Sequence, residues 1–102
     1  LNKQKGIAVT VTLVGSLKNI AKTEKTQLKI RETNSTVASV VRKLGEQFGQ
    51  EFKNAIMDPE LNDPKPRVLI LKNNVEISAL QGVDTPIRDK DKIVIIPIYH
   101  GG

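Results

Sequence analysis

The chain has 102 residues, with sixteen Lys and Arg against eleven Asp and Glu, a formal charge of +5 and no cysteine. Its length fits one domain, since independent domains run from about 50 to 250 residues. The missing thiols exclude a disulfide framework, a thiolate metal site, an iron–sulfur cluster and a cysteine nucleophile. No apolar run approaches the roughly 18 residues that would span a bilayer, and LNKQKG leads into an alternating strand and not into a signal-peptide core. A cytoplasmic chain with no membrane partner is therefore expected. Leu1 is not an initiating methionine, so a natural N-terminus that differs from it is expected too. The basic residues are scattered, and two Phe, one Tyr and no Trp offer little for bases to stack on. The charge reads as solvated surface, and nucleic acid is not the expected partner.

Residues 7–14, IAVTVTLV, alternate strictly, with Ile7, Val9, Val11 and Leu13 on one face, the pattern of a strand with one buried side. Gly15 and Ser16 end it, a loop through Asn19 is expected, and residues 26–32, TQLKIRE, alternate again with Leu28 and Ile30 inward. The two strands pair as a hairpin with a long turn. From Ser35 the period changes: Val37, Val40, Val41, Leu44 and Phe48 fall on one stripe of an amphipathic helix. Asn34 and Ser35 are the expected N-caps and Gly49 the expected stop. Ser39, Arg42, Lys43, Glu46 and Gln47 then form a solvated face.

Residues 51–66, EFKNAIMDPELNDPKP, predict a short helical turn pinned by Phe52, Ile56 and Met57, followed by a surface loop. Asp58, Glu60 and Asp63 lack a regular ligand spacing, so they read as turn-forming carboxylates and no metal site is expected. Residues 67–72, RVLILK, predict a third strand, and Asn73-Asn74 a tight turn, because Asn tolerates the left-handed backbone that hairpin turns require. Val75 to Ile77 return as a short strand, a turn-rich stretch follows, and KIVIIPI, residues 92–98, is continuously apolar. Such a strand is central and covered on both sides, as parallel-paired strands are.

Strand, strand, helix, strand, short strand, strand predicts an α+β fold: a mixed four- to five-stranded sheet with one main helix packed on one face. Val94, Ile96 and Ile98 share one face of the last strand and Ile93, Ile95 and Pro97 the other; the third strand divides into Leu69 with Leu71 and Val68 with Ile70. Whichever set the helix covers, the other stays apolar and partly exposed. Val94, Ile96, Ile98, Leu69 and Leu71 are the candidate partner surface, since apolar patches rimmed by charge mark interaction sites.

VLILKNNVEI (68–77), GVDTPIRDKDKIVIIP (82–97) and the ending YHGG together resemble the ubiquitin-like β-grasp proteins that serve as sulfur carriers and protein modifiers. That superfamily includes the small subunit of molybdopterin synthase, the thiamine sulfur carrier, the small archaeal modifiers and the ubiquitin-related modifier. The likeness covers residues 7–102. It departs at Lys90, where the family usually has glycine in its Asp-Gly-Asp turn; a positive φ there costs a non-glycine residue on the order of 1 kcal/mol. His100-Gly101-Gly102 looks most like the ending of the ubiquitin-related modifier.

The resemblance implies a β-grasp domain over residues 1–98 and a flexible di-glycine tail over 99–102. It also implies a chain that is itself a substrate and not an enzyme. An E1-like enzyme using ATP would adenylate Gly102, which is then thiocarboxylated or joined to lysines of acceptor proteins. Gly101, with no Cβ, would give access to a narrow channel. Tyr99 and His100 would orient the tail, with solubility of an exposed tail the other role open to His100. No cofactor would be held permanently. The alternatives are a sulfur-donating subunit paired with a synthase large subunit in molybdopterin synthesis and, independent of the tail, an RNA-binding β-grasp module.

Overall fold

A computed structural model describes residues 6–31, 34–58, 63–64 and 68–98. Strand β1 (Ile7–Leu13) pairs antiparallel with β2 (Lys25–Ile30), and Val9, Val11, Leu13, Leu28 and Ile30 all enter the core. The link between them is not the expected loop. Gly15 turns the chain with a φ of 63°, and helix α1 (Ser16–Ala21) follows, burying Leu17 under the sheet before Lys22 ends it in the left-handed conformation.

Helix α2 (Val37–Phe48) seats Val37, Val40, Val41 and Leu44 in the core, as the stripe predicts. Its N-cap is Thr36 and not Asn34 or Ser35. Ser35 is occupied elsewhere, its carbonyl accepting from Ile87 N–H at 3.0 Å, and Thr36 forms an isolated bridge to Pro86. Ser39, expected in solvent, is buried because its hydroxyl accepts from Thr36 N–H at 3.1 Å and closes the capping box. Gly49, with a φ of 97°, ends α2 and opens α3 (Gln50–Ile56) in one residue, a conformation that glycine alone adopts without strain. The single helical turn expected here is thus a second core helix. Phe52 and Ile56 are fully buried, and the Phe48 and Phe52 rings meet at 5.3 Å across the junction. The predicted surface loop contains a two-residue ladder, β3 (Met57–Asp58) against β4 (Asp63–Pro64), while Glu60 lies outside the described residues.

Strand β5 (Val68–Lys72) turns through Asn73 and Asn74, with φ values of 48° and 71°, into β6 (Val75–Glu76). The short strand stops one residue early: Ile77 starts a 3-10 turn, Ile77–Ala79, and is buried by it. Glu76 holds that turn, its carboxylate accepting from the Ser78 N–H at 3.0 Å and from the Ser78 hydroxyl. A second 3-10 turn, Gly82–Asp84, leads to β7 (Lys92–Pro97). The sheet order is β2-β1-β7-β5-β6, and β7 runs parallel to β1 and antiparallel to β5. The continuously apolar strand is central as expected, but it is covered by the helices on one face only, since Val94 and Ile96 stay partly exposed; among the described residues the main helix α2 is joined by the two shorter helices α1 and α3. This is the β-grasp arrangement.

The run Asp84–Asp91 shows why these carboxylates belong to turns. Asp91 accepts from Arg88 N–H at 2.7 Å and from the Asn73 side-chain amide at 2.9 Å, and Lys72 Nζ stands 3.7 Å from it. Asn73 in turn accepts from Lys92 N–H at 2.8 Å, while Asp89 accepts from Ala8 N–H at 2.8 Å. The loop therefore ties the start of β1, the β5–β6 turn and the start of β7 together. Lys90 does carry a positive φ, 72°. Replacing it with glycine relieves about 1–2 kcal/mol of left-handed strain and returns about 0.4–1 kcal/mol through the freer unfolded chain. Lys90→Gly is expected to raise stability by up to about 1.5 kcal/mol, measured as an upward shift in urea midpoint at unchanged slope.

Candidate functional site

Alternation along β7 places Ile93 and Ile95 under the helices, where both are buried, and turns Val94 and Ile96 to the other side. Register carries the division across the sheet. Val94 pairs with Leu71 and Thr12, and Ile96 with Leu69. Ile98, just past the strand, continues the same alternation, and all five candidate apolar side chains are partly exposed. Three rows follow on this open face. Nearest the C-terminal end of β7 lie Ile96 and Leu69, then Lys25, Thr12, Val94, Leu71 and Glu76, then Gln27, Thr10 and Lys92. Lys29 and Ala8 stand beyond the last row. No described helix packs on this side, since the buried residues of α1, α2 and α3 belong to the single core cluster with Ile93 and Ile95.

The end of β7 is set by Gly15 and Pro97, which sequence reasoning named separately and did not bring together. Val14 N–H donates to Ile95 O at 3.2 Å, so the backbone groups of odd-numbered residues in β7 face β1. Pro97 has no N–H to offer there, and the parallel ladder stops at Val14. Gly15 then passes so close that a Cβ on it would lie 3.2 Å from Pro97 Cγ, with the backbone already at a φ of 63°. The signal in the sequence was the pair itself, a glycine after one strand and a proline in another, but only the parallel register brings them together. Gly15→Ala is expected to cost about 1–3 kcal/mol, because a φ of 63° with a ψ of −134° is a backbone region that residues with a Cβ scarcely populate, measured by denaturant unfolding.

The tail residues Tyr99, His100, Gly101 and Gly102 lie outside the described residues. Asp58 and Asp63 sit in the short β3–β4 ladder, and no group of three metal-ligating side chains occurs among the described residues. No described helix is long and apolar enough to cross a membrane.

Comparison with known proteins adds the family. The model of the ThiS family matches residues 11–102. Small archaeal modifier protein 3 of Haloferax volcanii is 32% identical over 71 residues, covering 70% of this chain and 74% of that one. The solution structure of the Haloferax volcanii HVO 2177 protein superposes with a TM-score of 0.81 at 20% identity, over 99% of this chain and 92% of the other. Urm1 from Trypanosoma brucei gives 0.77 at 22% identity, over 98% of this chain and all of its own. With a matching family model across nearly the whole length and a β-grasp sheet whose apolar face stands open, the chain belongs to the ThiS family of ubiquitin-like proteins.

Proposed function

We propose that this protein is a carrier and modifier activated at the carboxylate of Gly102. The observation that supports it most is the layout of β7. The strand that bears the open apolar face ends at Pro97, five residues before Gly102. An activating enzyme that grips the face holds the chain at the root of its reactive end.

In the proposed reaction a carboxylate oxygen of Gly102 attacks the α-phosphorus of ATP on the activating enzyme, and pyrophosphate leaves. The acyl-adenylate carbonyl then accepts a sulfur nucleophile or a lysine amine, and AMP leaves with the bonding electrons. Glycine suits both steps because no Cβ shields the carbonyl. Ordering a tail costs on the order of 1–2 kcal/mol per residue in backbone entropy. Contacts on Val94, Ile96, Ile98, Leu69 and Leu71 offset that cost. The protein is thereby a substrate, and the carboxylates of Asp89 and Asp91, which hold turns together, take no part.

Conjugation is read from digests of host proteins. Trypsin cuts after Lys92, so an acceptor lysine carries the remnant IVIIPIYHGG. Lysine peptides bearing it are expected. Co-purification with one larger partner and no such peptides would instead support the synthase subunit, and salt-sensitive RNA binding that survives loss of the tail would support the RNA-binding module.

A further inference from the structure

Resting on that reading, we infer that the activating enzyme presents an acidic surface opposite β1 and β2, beside an apolar one opposite β7 and β5. The open face is not uniform. Its row nearest the C-terminal end of β7 is apolar, with Ile96 and Leu69 joined by Val14, which is 39% exposed. Away from that row, along the β2 edge and the start of β7, stand Lys25, Lys29 and Lys92, all exposed. Lys25 and Lys29 share one face of β2, and Lys92, distant in sequence, joins them only through register: Lys25 pairs with Thr12 and Lys29 with Ala8, while Lys92 pairs with Thr10 from the other side. At about 3.3 Å per residue, Lys92 lies about 13 Å from Ile96 along the strand, and β2 lies about 10 Å from β7. Among the described residues the rows of the face hold one carboxylate, Glu76, at the far edge and engaged with Ser78; Asp89 lies at the lysine end, where its carboxylate accepts from Ala8 N–H at 2.8 Å.

A charge pattern displaced from the apolar contact orients a partner as well as attracting it, because only one rotation satisfies both halves. The rotation that sets carboxylates over the three lysines sets the apolar half over the end of β7, where the tail begins. A second copy of this chain is a poor occupant, since the face is cationic on both copies. Nucleic acid leaves the apolar row against phosphates.

The test uses the full chain and its E1-like enzyme in ATP–pyrophosphate exchange, at about 50 mM and about 500 mM salt. The triple variant Lys25→Glu, Lys29→Glu, Lys92→Glu is compared with Lys18→Glu, Lys43→Glu, Lys53→Glu, which makes the same charge change on the exposed side of the helices. The first is expected to raise KM for the carrier about tenfold or more at low salt with kcat unchanged, and the gap to close at high salt. The second is expected to shift KM less than about twofold. Equal shifts in both, or none in either, would overturn the inference while exchange itself upholds Gly102 activation. Calorimetric binding without ATP separates the two further. Binding lost only in the first variant, with no exchange from any chain, would sink the activation reading and uphold the docking surface. Binding of phosphatidylglycerol vesicles in place of the enzyme would overturn the docking surface.

Discussion

A chain lacking Gly102 is expected to lose activation completely while keeping its fold. Deleting one residue moves the carboxylate back by about 3.3–3.6 Å of extended chain, and a misplacement of only 1 Å at a reacting centre costs on the order of 100-fold. The shortened tail still ends in glycine, so the loss isolates reach from chemistry. Stability is expected to stay the same because β7 ends at Pro97, whose contacts run back to Gly15 and Val68. Pyrophosphate exchange and a urea melt on the same sample check both halves. Exchange that persists in the deletion would place the reactive group elsewhere.

Phe52→Ala is expected to have the largest effect on stability. The ring is fully buried, belongs to the cluster that joins α1, α2, α3 and the sheet, and meets Phe48 at 5.3 Å. Removing a buried phenyl group forfeits its transfer free energy and leaves a cavity, together about 3–5 kcal/mol. For a domain of this size that lowers the melting temperature by on the order of 20 °C, and it removes much of a stability that is typically about 5–15 kcal/mol. Thermal unfolding followed by circular dichroism reads the shift. The activation rate per folded molecule is expected to stay unchanged, because Phe52 is on the helix side and the docking face is on the other.

The elements legible in sequence were those whose signals are local and repeated. β7 was placed at the centre from the continuously apolar run of residues 92–98, α2 from five apolar residues on one stripe, and the β5–β6 turn from Asn73-Asn74. Helix α1 was missed because six residues give too short a window for a helical period, and Leu17 is its only fully buried residue. Ser39 was misplaced because periodicity assigns it to the polar side, while its buried state comes from a reciprocal bond to Thr36. The Asp84–Asp91 run read as a string of turns, since its partners Ala8 and Asn73 lie far away in the chain.

The candidate site divides in the same way. Val94, Ile96, Ile98, Leu69 and Leu71 could be grouped from alternation alone, because period two sorts a strand into faces whatever its neighbours are. Which face the helices would leave open could not be read, and neither could the basic group. Lys25 and Lys29 join Lys92 only because β1 stands between β2 and β7.

The most direct measurement is the intact mass of the protein after incubation with its E1-like enzyme, ATP and sulfide, which displaces AMP from the acyl-adenylate directly, and again as isolated from its host. Activation at Gly102 predicts a species heavier by the exchange of one carboxylate oxygen for sulfur, with the increment mapped to the C-terminal residue and absent without ATP. A chain that keeps an unmodified carboxylate under every one of these conditions would contradict it.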